Sequence, residues 1–214
     1  MKLLRYLVLL LLTISSAAAL AVYLLTLPLV RRLPCEKRVA VDGVVTIEDA
    51  VAACRRTNLS GWKLVAYAQN RVARKFTCSR LNPWDSPARA QTRGRGYCQQ
   101  QALALKQIFD HLGIPTRVVF ATRCVFPPKI VDGIAEPACV SGHVWLRVQL
   151  GDDERDVCPG SMENVPGRVH FTVQSNAHTL YPMIRPFTHL GSVIENVRRD
   201  RRDQHWRASH VAGP

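Results

Sequence analysis

A chain of 214 residues, 47% of them hydrophobic, is long enough for one medium domain and an appendage. Its formal net charge of +13 suits anionic surroundings such as lipid headgroups or wall polymers. The sequence has no groove-reading motif, zinc-ligand spacing, phosphate-cradling glycine loop or CxxC pair, so nucleic acid, metal and nucleotide cofactors are not expected.

Lys2 and Arg5 precede an uncharged run from Tyr6 to Val30, which Arg31 and Arg32 close. About 20 apolar residues cross a bilayer, so residues 1–32 are expected to form a signal anchor with a transmembrane helix. The alternative is a cleaved signal peptide and a secreted product, with the cleavage site among Ser15 to Ala19. Against it, Val22-Tyr23-Leu24-Leu25 continues the apolar run beyond that site. Positive charges flank both ends and leave orientation unset. Seven cysteines are many for a reducing compartment and argue for an extracytoplasmic domain.

Residues 33–45 read as a linker with Pro34 and Gly43, and the main domain is expected over 46–190. Thr46-Ile47-Glu48-Asp49 has the form of a capping box opening a helix through Cys54. Ser60 caps a second helix, in which Trp62, Val65, Ala68, Val72 and Phe76 recur at helical spacing. Leu81 to Ala90, with Pro83 and Pro87, is an irregular approach to the next element. Residues 191–214 form a basic tail, with Arg198, Arg199, Arg201, Arg202 and Arg207.

Between these lies Arg93-Gly94-Arg95-Gly96-Tyr97-Cys98, a glycine turn that opens a helix. Leu103, Leu105, Ile108, Phe109 and Leu112 give that helix one apolar face, and Gly113 with Pro115 ends it. A thiol at a helix N-terminus sits among unpaired N–H groups at the positive end of the dipole, which favours thiolate. Those N–H groups can also hold an oxyanion. The Cys98 N–H with one upstream side chain, Gln91, Tyr97 or Trp84, is the candidate oxyanion and substrate set.

Pro115 to Ala121 reads as a strand, followed by a Pro-rich loop from Arg123 to Gly142 bracketed by Cys124 and Cys139. In the next strand Val144, Leu146, Val148 and Leu150 face one way, and His143, Trp145, Arg147 and Gln149 the other. A turn at Gly151-Asp152-Asp153 leads to a short strand with Asp156, and Val169 to Val173 is a further strand. Cys98, His143 and Asp156 thus come in an order that suits a nucleophile, a base and an orienting acid. A tight turn at Asp152-Asp153 would set Asp156 opposite Gln149, roughly 20 Å along the strand from His143. Orientation by Asp156 therefore requires a bulge or a longer loop, and Asn164 or Glu163 is the fallback. With Cys98 set aside as nucleophile, the remaining cysteines are even in number, as a disulfide framework needs. Cys124 with Cys139 is the local pairing expected, closing a loop of about 15 residues for roughly 3 kcal/mol. The other histidines show no metal-ligand spacing.

Gly96-Tyr97-Cys98 at a helix start, Leu112-Gly113-Ile114-Pro115-Thr116-Arg117 before a strand, and Gly142-His143-Val144-Trp145 together resemble the transglutaminase-like superfamily, relatives of papain-type enzymes. The resemblance covers about residues 90 to 160. It implies an α+β domain with a papain-like core, in which the nucleophile helix packs on a small antiparallel sheet. By that resemblance Cys98 is the nucleophile and His143 the base. The family commonly ends the strand after the histidine in Asp-Pro, whereas here Cys158 precedes Pro159. Asp156-Val157-Cys158-Pro159-Gly160 is closer to the matching strand of arylamine N-acetyltransferases.

The function expected is an anchored thiol enzyme acting on amide or peptide carbonyls through an acyl-enzyme. Its partners would be a protein or peptide substrate and the membrane; no cofactor is expected, and oligomeric state is not legible. An acetyltransferase using coenzyme A ranks lower, since an exported domain lacks that cofactor. A non-catalytic binding module that keeps the fold is the alternative from another class.

Overall fold

The computed structural model describes residues 2–31, 40–78, 85–131, 134–183, 185, 191 and 194. Trp84, Cys35 and nearly all of the basic tail lie outside these residues. The chain divides into two compact units, one holding the first helix and the other, Cys35–Ser79 with Asp85–Ile184, holding every other element named below.

The first unit's helix, α1 (Lys2–Arg31), is the uncharged run. Within it Leu3–Ala21 has a mean hydropathy of 2.0 and is long and apolar enough to cross a membrane. Leucines such as Leu7, Leu9 and Leu11 are exposed among the described residues.

In the second unit, α2 (Ile47–Arg55) starts at the expected capping box, where the Thr46 hydroxyl accepts from Asp49 N–H and the Asp49 carboxylate accepts from Thr46 N–H. The α3 helix (Gly61–Lys75) buries Val65, Ala68 and Val72, the stripe its spacing predicts. After β1 (Thr77–Cys78) comes α4 (Pro87–Arg93), where only an irregular approach was expected. Its signals were Ser86, whose side chain accepts from Arg89 N–H, and Pro87 at the first turn, where a missing N–H does no harm. Gly94 ends α4 at φ 71, a left-handed conformation that glycine adopts without strain. Then β2 (Arg95–Gly96) pairs in parallel with β1 and leads into α5 (Cys98–His111).

The sheet is antiparallel in the order β7-β6-β3-β8, with β9 also on β3. Its strands are β3 (Thr116–Phe126), β6 (Cys139–Leu150), β7 (Asp153–Val157), β8 (Thr172–Val173) and β9 (His178–Thr179). A separate hairpin, β4 (Lys129–Val131) with β5 (Ile134–Glu136), joins β3 to β6. The expected Pro-rich loop is therefore mostly strand. Past Ala121↔His143 the pairing resumes at Cys124↔Ser141, so Thr122 and Arg123 bulge opposite Gly142 and the two strands run on to Phe126↔Cys139. The expected strand Val169 to Val173 shrinks to Thr172–Val173.

Two cores result. Leu105, Ile108 and Phe109 of α5 are fully buried against Val118, Val144, Leu146 and Val148, with α2 and α3 beside them. Each such side chain contributes about 1.5–3 kcal/mol by leaving water. The second cluster contains Val119, Ala121, Cys124, Trp145, Cys158 and Phe171. The alternation read in β6 is thus the division between the cores.

Candidate functional site

Cys98 is the first residue of α5 and is partly buried. Side-chain amides fix the chain before and after it. Gln100 accepts from Tyr97 N–H at 3.1 Å and donates to the Asp85 carbonyl at 2.7 Å, while Gln101 donates to the Gly96 carbonyl at 3.1 Å. Asp85 in turn accepts from Arg93 Nε at 2.7 Å. Gly96 has room for no side chain, since a Cβ there would lie 2.8 Å from Gln100 Oε1 and 3.0 Å from the Phe76 ring.

The Cys98 sulfur meets the backbone N–H of Val144, the residue after His143, as well as the N–H groups of Cys98 and Gln99. Those N–H groups favour thiolate, as the helix start implies, but desolvation is the larger effect and pushes the thiol up to about 11. Desolvation at this partly buried helix start thus opposes the thiolate that the helix dipole favours.

His143 is 6% exposed. Its ring is boxed by Phe171 at 4.5 Å, Phe126 at 5.2 Å, Trp145 at 6.1 Å and His170 at 6.2 Å between centroids. Burial, with the nearby His170, lowers its pKa to about 3, so the imidazole is neutral at physiological pH. Its Nε2 lies 3.3 Å from Cys158 Sγ.

The structure does not bring Asp156 to His143. The β6–β7 turn is Gly151-Asp152, which sets Asp156 opposite Arg147 and not opposite Gln149. Four residues still separate it from His143 along the strand, about 13 Å. Asp156 Oδ1 instead accepts from Trp145 Nε1 at 2.8 Å and Arg147 Nε at 2.7 Å. The fallbacks do not meet His143 either: Asn164 bonds the Cys158 carbonyl and His170, and Glu163 is exposed. The residue on His143 is Cys158, two positions beyond Asp156 and therefore on the same face. That period of two was the signal in the sequence that could have found it.

Among the oxyanion candidates, Gln91 is fully buried on α4, and neither amide atom has a hydrogen-bond partner among the described residues. Tyr97 is the buried N-cap of α5. Trp84 lies outside the described residues. Among the described residues Cys124 and Cys139 form no disulfide, nor do Cys54, Cys98 and Cys158, so the expected crosslink is not made. Cys124 is opposite Ser141 and Cys139 opposite Phe126, an offset of two residues. Such diagonal neighbours are about 7–8 Å apart, beyond the reach of an unstrained disulfide. Among the described residues no group of His, Cys, Asp or Glu could hold a metal ion.

A cysteine-led helix seated on an antiparallel sheet beside a histidine strand defines a transglutaminase-like α+β core. The chain belongs to the transglutaminase-like superfamily, whose family model matches residues 49–155, half of the chain. A solved crystal structure of a TGase is similar over 54% of this chain, at 14% identity and a TM-score of 0.39. This chain covers 31% of that one's length. No curated protein matches the chain.

Proposed function

We propose that this chain is a thiol-dependent enzyme of amide or peptide carbonyls, a cysteine hydrolase with transglutaminase-type transfer as its close variant. The supporting observation is the Cys98 sulfur at the start of α5, set against the backbone N–H that follows His143. Cys98 Sγ attacks the carbonyl carbon as its proton passes to His143. Both groups start neutral, so the proton moves while the C–S bond forms and no preformed ion pair is needed. The tetrahedral oxyanion lies at the helix start, where the Cys98 N–H can donate to it. Collapse breaks the C–N bond, and the proton on His143 leaves with the amine. Water then attacks the thioester and gives a proton to His143, the C–S bond breaks to release the acid, and His143 returns the proton to Cys98 Sγ; a second amine in place of water completes a transfer. The exposed apolar surface of α1 supports membrane anchoring.

A second reading, a non-catalytic module, is favoured by the absence of a carboxylate on His143 among the described residues. Iodoacetamide labelling of the full-length chain in detergent separates the two, with the exposed Cys139 as internal reference. Replacing His143 with Ala is expected to slow Cys98 alkylation about 100-fold while leaving the reference unchanged. A Cys98 rate that does not depend on His143 would overturn the enzymatic reading.

A further inference from the structure

Cys158 is 1% exposed and lies just past β7, and its sulfur receives two groups. Gly160 N–H donates to it at 3.4 Å, and His143 Nε2 stands 3.3 Å away. Among the described residues this is the hydrogen bond that His143 makes through its ring; its other neighbours are aromatic faces and edges. The Gly160 N–H shows the sulfur arranged as an acceptor. The two ring nitrogens also differ in reach. Nδ1 is the one nearer the backbone, and Cys98 lies against the backbone immediately after His143. Nε2 points away from the backbone, to Cys158.

We infer that Cys158 is the positioning residue of the site: its sulfur accepts the Nε2–H of His143, fixing the tautomer that leaves the Nδ1 lone pair for the Cys98 proton. This rests on Cys98 and His143 acting as proposed above. A thiol in this place holds the ring and selects the tautomer, but it brings no charge to balance an imidazolium. Burial keeps it a thiol, pushed up to about 12. The titratable groups that face the pair are His170 beside the ring, Cys98 from α5, Cys124 from β3 and Asp156 from β7, the last already held by Trp145 and Arg147. The site therefore depends on a weak acceptor, and its proton transfer is set by geometry more than by charge.

The test uses the full-length chain in detergent and needs no known substrate. Nitrogen-15 shifts of His143 in the native protein are expected to show the Nε2–H tautomer; the Nδ1–H tautomer would overturn the inference without any variant. Cys98 alkylation by iodoacetamide, followed against pH, gives a second readout. Cys158→Ala is expected to slow it about fivefold, the worth of one neutral hydrogen bond. Cys158→Ser, which keeps an acceptor, is expected to stay within about twofold of native. Cys158→Asp puts a carboxylate on Nε2–H, and should raise the rate near neutral pH and move the pH profile to lower values. A Cys158→Ala protein whose tautomer and profile both match native overturns the inference while leaving Cys98 and His143 in place. A Cys98 rate indifferent to His143 overturns the proposed function instead, so the two failures are distinguishable.

Discussion

On one face of β6, Val144, Leu146 and Val148 are buried against α5 and the helices beside it. On the other face His143 and Trp145 are just as buried, yet each has a named polar partner: Cys158 for the imidazole and Asp156 for the indole. The aliphatic face is held by area and close packing, which are non-directional, so any side chain of the right volume serves. The polar face is held by donors and acceptors, where removing one partner leaves the other buried and unpaired. One strand thus presents a tolerant surface to the helices and an exacting one to the site.

Acid should break the polar face most. Folded His143 stays neutral down to about pH 3, while in the unfolded chain it protonates near 6.5. Below 6.5 the unfolded state binds more protons, so stability falls as pH drops from 6.5 towards 3, by several kcal/mol across the window. Denaturant midpoints followed from neutral pH downwards should show the loss, and His143→Phe should remove most of the slope. An unchanged slope in that variant would assign the acid sensitivity to other groups.

Next in size is the aliphatic face. Leu146 is fully buried, and Leu146→Ala should cost about 3 kcal/mol in denaturant unfolding, from lost transfer energy and the cavity left behind. Leu146→Met should cost under about 1.5 kcal/mol, since volume is nearly conserved. A large penalty for Met would mean that this face is as exacting as the other.

The smallest effect separates structure from chemistry at Asp156. Asp156→Ala strands the Trp145 N–H and should cost about 1–3 kcal/mol, whereas Asp156→Asn keeps an acceptor and should cost less. Neither change is expected to alter the pH dependence of Cys98 alkylation, because Asp156 does not meet His143. A shifted profile in Asp156→Asn would restore the acid to the site.

What the sequence made legible follows the same division. The alternation of β6, the stripes of α3 and α5 and the capping box at Thr46 are local patterns, and each was realised. The β6–β7 register depended on which two residues form the turn, and moving it from Asp152-Asp153 to Gly151-Asp152 changed the partner of Asp156. The bulge at Thr122 and Arg123 has no local signature, so two strands were read as a loop. Cysteine parity suggested crosslinks, but distance across the ladder decides pairing, and parity carries no information about distance. The contact between His143 and Cys158 needed both the register and the face.

The run Gln99, Gln100 and Gln101 is buried at the start of α5, where a helix facing a core would ordinarily place aliphatic side chains. A greasy helix face can slide or rotate by a fraction of an ångström at little penalty, because one methyl contact replaces another. Amides that reach back to Tyr97, Gly96 and Asp85 offer no such sliding, for a displaced helix would forfeit them together. The helix is therefore indexed at its first turn by three amide hydrogen bonds and tethered at the other end by one, from Arg55 to the His111 carbonyl. Thermal breathing of α5 should accordingly pivot about Cys98, with the amplitude taken up near His111, which keeps the sulfur stationary while the rest of the helix moves.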